Sequence, residues 1–554
     1  MQQASSQVSA RPSEIQAKFL KTIAGKLNPF RRRTIAGELL LLALSALLFA
    51  LSFPSFLSTW GWFPLAYVAL VPLFWVLQRA GWVRTLIYGV VYGLLSYGLF
   101  NFWLGKFHPL ALYFVAPVHA FYFLLLFPLL KLIDKAFPRT AFLWQSLLWV
   151  GYEFVKAQGF LAYSYGILGY SQYLFLPLIR IAEVTGVWGV SLLVVFPSAL
   201  LAAALRAGLK AFPAGLKSLR LYVLGYALVF VLSLSYGAAV KSNLDESRRW
   251  KVALIQHHID PWQGGYTAYE RSLERLLELS RQAARENPEI IIWSETAFVP
   301  AIDWHTRYRT DQRTYGLVKK LREFLSTQNA YYLIGNDDGQ LVRDESGQEF
   351  RADYNATLLF ERGEILQTYR KIHLVPMTEH FPFRKVLPGI YRLLQNVDTH
   401  FWEKGAEVTV FEAGGVRFST PICFEDTFGY LGRRFVREGA DVLVNVTNDS
   451  WSKSVAAEMQ HMSCAVLRAV ENRRSVVRAT NGGITCLIDP NGQIVSRIEP
   501  FIKSYLVDTV PVYTRGQTLY TRWGDWFGWL MLILSAGLAA AGLLRCLRRR
   551  PKKD

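Results

Sequence analysis

The stretch Val416–Asp426, VRFSTPICFED, decides the reading of this chain. Its first seven residues are rich in apolar and β-branched side chains, which suits a buried strand. A cysteine follows at once, and Glu425–Glu438 reads as a helix. Cys423 therefore stands at a strand-to-helix elbow, the kind of position where α/β folds expose reactive groups. Helix N–H groups at such an elbow favour a thiolate. A lone cysteine in an apolar strand is more often inert packing, so its meaning rests on its surroundings.

Outward from the elbow, strands and helices alternate from about residue 248 to 512. Trp250–Gln256, Glu289–Trp293, Tyr331–Gly335, Val416–Ile422 and Asp441–Val446 read as strands. Tyr269–Arg285, Arg313–Leu325 and Met459–Arg474 read as helices. Ala356–Tyr369 turns at Arg362–Gly363, and Ile484–Ile498 turns at Pro490–Asn491–Gly492, so both read as hairpins. This alternation predicts an α/β domain with a covered sheet. Two further reactive side chains stand at element ends. Glu295 follows the run IIIWS, in a partly dry setting, and Lys371 follows the first hairpin in Tyr369–Arg370–Lys371.

The rest of the chain is apolar. A span needs roughly 20 mostly apolar residues. Seven candidates precede the α/β domain, at about 35–53, 59–78, 83–104, 109–132, 139–160, 182–205 and 219–240, and an eighth covers about 523–544. Residues 1–33 hold seven Lys/Arg against one acid, and residues 545–554 hold six against one, so the tails carry more than half of the net charge of +19. Basic tails flanking apolar spans signal topology rather than nucleic-acid binding. Loops near Arg79–Arg84, Lys131–Arg139 and Arg206–Arg220 are also basic. The positive-inside pattern predicts a cytoplasmic N-terminal segment (1–34), a seven-helix membrane domain (35–240), an extracytoplasmic domain (248–512), an eighth span (523–544) and a cytoplasmic tail (545–554). No cleavable signal peptide is apparent. Four cysteines without CxxC spacing exclude a disulfide scaffold and argue against zinc. No cofactor or metal is expected.

Glu295, Lys371 and Cys423, in that order, resemble the Glu-Lys-Cys triad of the nitrilase superfamily. Trp293–Ala297, Tyr369–Pro376 (YRKIHLVP) and Ile422–Glu425 carry the likeness, as do Asn448–Trp451, Gln460–Met462, Arg478–Asn481 and Gly483–Thr485. Together with spans before and after the domain, they resemble the apolipoprotein N-acyltransferase family, the membrane branch of that superfamily. The resemblance implies an αββα sandwich on an eight-span helical bundle, in a bacterial inner membrane with the domain on the periplasmic side. It implies acyl transfer from a phospholipid, through a Cys423 thioester, to the α-amine of a diacylated apolipoprotein. Glu295 would be the base and Lys371 the oxyanion donor, with the backbone N–H of Phe424. Glu379 and Glu425 would position them, and Trp262 and Trp451 would contact substrate. The chain is expected to act as a monomer.

The family often has Tyr where Phe424 stands, and a Phe-Gly pair where Met377–Thr378 stand. The stretch Phe381–Phe401, rich in apolar side chains, reads either as a lid dipping toward the membrane or as an insertion packed on its own domain. Glu153 and His119 lie within expected spans, where interhelical bonding is the plain expectation. Cys464 and Cys486 read as core. Two rival readings fit less of the chain. A membrane-anchored amidase leaves most spans unused, and a transporter or receptor leaves the triad order unexplained.

Overall fold

A computed structural model describes residues 29–107, 111–260, 264–343, 347–381, 383, 386–395 and 401–548. Trp262 and most of both basic tails lie outside these residues.

Among the described residues, twelve strands build two six-stranded sheets. In chain order they are β1 (Arg248–Gln256), β2 (Ile290–Trp293), β3 (Tyr331–Arg343), β4 (Glu349–Glu361), β5 (Glu364–Arg370), β6 (Phe411–Ala413), β7 (Val416–Ser419), β8 (Val442–Asn448), β9 (Ser475–Asn481), β10 (Cys486–Ile488), β11 (Ile494–Arg497) and β12 (Ser504–Val512). The first sheet runs β12-β1-β2-β3-β4-β5 and the second β11-β10-β9-β8-β7-β6. In each, three parallel strands (β1–β3, β7–β9) are extended by antiparallel ones.

Alternation along the strands sets the layers. Trp250, Val252 and Leu254 of β1, and Ile290 and Ile292 of β2, enter the core shared with Phe418, Val442 and Val444 of the second sheet. Their neighbours Ala253, Ile255, Ile291 and Trp293 face outward, onto Leu273, Leu276 and Leu277 of helix Gly265–Ala284 and Val318 and Leu321 of helix Gln312–Ser326. Helices Gly429–Arg437 and Val455–Asn472 cover the far side of the second sheet. The result is the expected αββα sandwich.

Among the described residues, six helices are long and apolar enough to cross a membrane: Thr34–Leu51, Trp82–Phe100, Ala111–Ala136, Val187–Ala204, Arg220–Ala239 and Trp526–Arg548. Two of the eight expected spans are shorter. The stretch 59–78 becomes a 3-10 turn, Phe63–Tyr67, and a nine-residue helix, Val71–Arg79. Pro64 and Pro72 sit in the first turns of these pieces, where a missing N–H is tolerated, but neither allows one continuous helix. The stretch 139–160 is helical only over Ala141–Lys156. Leu221, Leu224, Leu228, Val231 and Leu232 are exposed along helix Arg220–Ala239, as a lipid-facing surface requires.

The two halves share one buried seam. Every residue from Ala456 to Asn472 is buried, because this helix lies between the second sheet and the bundle. Gln460 accepts from Trp103 Nε1 (3.0 Å) and donates to the carbonyls of Pro54 (2.8 Å) and Phe100 (3.2 Å). Arg468 pairs with Glu471 (2.8 Å) and donates to Tyr170 Oη (3.1 Å), while the N–H of Val187 donates to Glu471 (3.1 Å). Buried polar groups that find partners in this way lock one docking geometry.

Candidate active site

Glu295 leaves the end of β2 with its backbone close against β3. Gly335 of β3 makes this possible, since a Cβ there would lie 2.6 Å from Glu295 Cα and 2.3 Å from the Ser294 carbonyl oxygen. Three donors hold the carboxylate. Asn355 Nδ2 (2.7 Å) and Lys371 Nζ (3.2 Å) reach Oε1, and the N–H of Asn448 reaches Oε2 (2.9 Å).

Lys371 follows β5 and is fully buried. Its ammonium bridges Glu295 and Glu379 (2.8 Å to Glu379 Oε1). Burial works against the charge, but the two carboxylates outweigh it and hold the ammonium well above the usual lysine range. It is therefore a fixed cation and hydrogen-bond donor. Glu379 is itself fastened by the N–H of Val375 (2.9 Å).

Cys423 sits at the expected elbow, with φ +50°, a left-handed backbone uncommon for a residue with a Cβ. The expected helix over Glu425–Glu438 is split into a 3-10 turn, Cys423–Thr427, and the helix Gly429–Arg437. The expected thiolate is also corrected. Burial and the Glu295 carboxylate push the thiol well above its usual range, and Lys371 opposes them only in part. Two carboxylates around one ammonium leave little net positive charge to favour a thiolate.

Glu425 ties the site's two loops together. Oε1 accepts from the N–H groups of Ile372 (2.7 Å) and His373 (2.8 Å), and Oε2 from that of Ile422 (2.8 Å). Tyr369 Oη donates at 2.9 Å. Burial raises this carboxyl to about 7, against the Ile422 and His373 N–H groups. Glu379 thus contacts the ammonium, and Glu425 lies between the lysine loop and the cysteine elbow.

The ring of Phe424 stacks on Tyr165 of the membrane half (6.0 Å) and meets Phe428 edge-on (4.8 Å), so the bundle walls the site. Trp451 lies against Trp103 (5.6 Å), on the same seam. Phe383 of the 381–401 stretch meets Phe160 (6.0 Å), and Val386 is 75% exposed. Glu153 and His119 bond inside the bundle. Glu153 accepts from Ser191 Oγ (2.6 Å) and the N–H of Leu168 (2.9 Å), and His119 stacks on Tyr97 (3.5 Å). Cys464 and Cys486 are buried, as expected.

Sequence reasoning left Asn355, Asn445 and a charged cluster without roles. His461 lies between Asp426 (2.8 Å) and Asp449 (3.0 Å), and Arg478 pairs with both acids. An Asn inside the mostly apolar run YNATLLF and an Arg inside SVVRATN were the available signals, since a polar residue in a buried strand needs a partner. Burial lowers the His461 pKa, but the Asp426 and Asp449 carboxylates outweigh it and raise it to about 9. The raised folded value means a contribution to stability that is complete below about pH 6.5 and lost as pH rises through about 9. The shift corresponds to about 3 kcal/mol. Thermal denaturation in detergent is expected to show stability falling across this window, with a flatter profile for His461→Gln. Parallel profiles would rule out this linkage.

Each half matches a family model. The model for the apolipoprotein N-acyltransferase N-terminal domain matches residues 45–200, and that for carbon-nitrogen hydrolases matches residues 251–518. Apolipoprotein N-acyltransferase 1 of Treponema denticola is 44% identical over 517 residues, covering 90% of this chain and 94% of the relative. This chain belongs to the apolipoprotein N-acyltransferase family. Its counterpart in Treponema pallidum is 43% identical over 535 residues, covering 93% of this chain and 98% of that one. The chain is thus a multi-pass membrane acyltransferase of lipoprotein maturation. The match runs through bundle and sandwich alike, which neither an anchored amidase nor a transporter accounts for.

Proposed function

We propose that Cys423 carries the acyl chain between a phospholipid and an apolipoprotein. Glu295 takes the thiol proton as sulfur attacks the ester carbonyl of the phospholipid. The tetrahedral oxyanion is received by Lys371 Nζ and the N–H of Phe424. Collapse breaks the ester C–O bond, and Glu295 returns its proton to the departing lysophospholipid. The neutral α-amine of the S-diacylglyceryl cysteine then attacks the thioester, Glu295 takes the amine proton, and it is returned to the sulfur. One observation carries this reading: a buried ammonium clamped between Glu295 and Glu379, with Cys423 close enough to feel both Glu295 and Lys371. An oxyanion donor of this kind contributes about 3–4 kcal/mol.

The bundle supports a lipid donor. Lifting an acyl chain into water costs about 0.8 kcal/mol per CH₂, which a site lying against the membrane half avoids. Trp451 and Trp262 are assigned to substrate contact. Counting the broken apolar segment Phe63–Arg79 and the helix Ala141–Lys156 as spans gives eight. Both termini then lie in the cytoplasm, with the sandwich on the periplasmic side of the inner membrane. The enzyme acts as a monomer.

Mass spectrometry after incubation with phospholipid tests the reading. A hydroxylamine-labile acyl adduct on the Cys423 peptide is expected, absent in Cys423→Ser and blocked in folded Glu295→Gln. Lipoprotein turnover without any adduct would sink the thioester. Normal acylation of Glu295→Gln would remove the base assignment.

A further inference from the structure

The peptide linking Cys423 to Phe424 is held from behind. Its carbonyl oxygen, that of Cys423, accepts from Asn445 Nδ2 (3.2 Å) and lies 3.3 Å from His461 Nε2. A trans peptide is planar, so its N–H points away from its C=O. Anchoring the oxygen therefore aims the Phe424 N–H toward the opposite side, where the acyl carbonyl must sit.

His461 is built to be a donor there. Nδ1 faces Asp449 Oδ1 (3.0 Å) and Nε2 faces Asp426 Oδ1 (2.8 Å). Ionised carboxylates only accept, so both ring nitrogens carry hydrogen and the ring is a cation. Arg478 pairs with the same two acids and closes a buried square of two cations and two anions. Asp426 belongs to the nucleophile's own turn, and Asp449 follows Asn448, whose N–H holds Glu295. The square thus braces both the cysteine elbow and the loop behind the base. The single Nε2–H is shared between Asp426 Oδ1 (2.8 Å) and the Cys423 carbonyl oxygen (3.3 Å), and its share on the carbonyl draws electron density through the amide, which strengthens the N–H at its other end.

We propose that His461 and Asn445 are positioning residues that aim and polarise the Phe424 N–H as oxyanion donor. This rests on the thioester reading above. It makes a prediction that a purely structural brace does not. Alkylation of Cys423 by iodoacetamide displaces iodide at a saturated carbon and forms no oxyanion. Acyl transfer in either direction does.

The test uses the full chain in detergent, with His461→Leu, Asn445→Leu and His461→Gln, the last keeping an N–H donor near the Nε2 position. Three rates are read: thioester formation from phospholipid, thioester consumption by the lipoprotein amine, and iodoacetamide labelling of the Cys423 peptide. Both leucine variants are expected to slow the two acyl steps by a similar factor, about 10–100-fold, with labelling changed by less than about twofold. His461→Gln is expected to recover most of the loss. If labelling falls in parallel with acyl transfer, the cluster only holds the elbow in shape and the proposal is wrong. Unchanged acyl steps overturn it equally. Should His461→Leu not fold, Asn445→Leu and His461→Gln provide the same comparison. Absence of any Cys423 adduct in the unsubstituted protein would sink the thioester reading and this proposal together.

Discussion

Lys371→Met is expected to cut acyl-enzyme formation by at least about 10³-fold and to destabilise the sandwich by about 3–5 kcal/mol near neutral pH. Methionine fills similar space but leaves Glu295 and Glu379 facing each other without the ammonium that now bridges them at 3.2 and 2.8 Å. Two buried carboxylates without a counterion repel, and each raises the other's pKa. A raised folded value costs stability above it and costs nothing below the unfolded value. The deficit is therefore expected to be large at pH 8 and to shrink as pH falls toward about 4.5. Lys371→Arg should not rescue activity, because the side chain is fully buried and a planar guanidinium does not fit a pocket built for a point charge. Single-turnover acylation, with denaturation at both pH values, reads both effects. A Lys371→Met protein that acylates Cys423 at the normal rate would remove lysine from the mechanism.

Much of this architecture was legible because burial writes itself into period and run length. β1 and β2 show alternate residues to two cores, and the long apolar helices stand out by composition. What was not legible followed from the same rules. β12 carries Asp508 and Pro511 and sits at a sheet edge, and β6 is three residues long, so neither makes an apolar run. The helix Val455–Asn472 carries Glu458, Gln460, His461, Arg468 and Glu471, which hydropathy assigns to solvent. The structure buries all five, because the bundle covers the face that a soluble domain would leave wet.

Glu295, Lys371 and Cys423 were readable in chain order, since each ends an element and has local sequence around it. Their electrostatics were not. The state of the Cys423 thiol depends on Glu295, Lys371 and Glu379, which reach it from other strands and loops. Asn355, Asn445 and His461 act on the site across tens of residues, through contacts that only the sheet order creates. Glu425 is the exception, lying two residues from the nucleophile, yet its partners at 369, 372 and 373 belong to the lysine loop.

That bridging makes Glu425→Gln the second large effect, about 10²-fold in turnover with a loss of about 2–4 kcal/mol. The carboxylate faces donors on both sides: Ile372 and His373 N–H at Oε1, Ile422 N–H at Oε2, and Tyr369 Oη on both. An amide NH₂ in either rotamer meets an N–H head-on, so one loop must move away. If it is the 372–373 side, Lys371 shifts; if it is the Ile422 side, Cys423 does. Tyr369→Phe removes one donor and leaves the rest satisfied, so it should cost only about 1 kcal/mol. Glu379→Gln should act differently, weakening the hold on the ammonium while leaving the elbow intact, and so slow acylation with little change in iodoacetamide labelling. Amide hydrogen exchange at Ile372, His373 and Ile422 should rise in Glu425→Gln and not in Glu379→Gln. If both Gln variants turn over at the normal rate, neither acid positions the triad, and the five hydrogen bonds to Glu425 serve the fold alone.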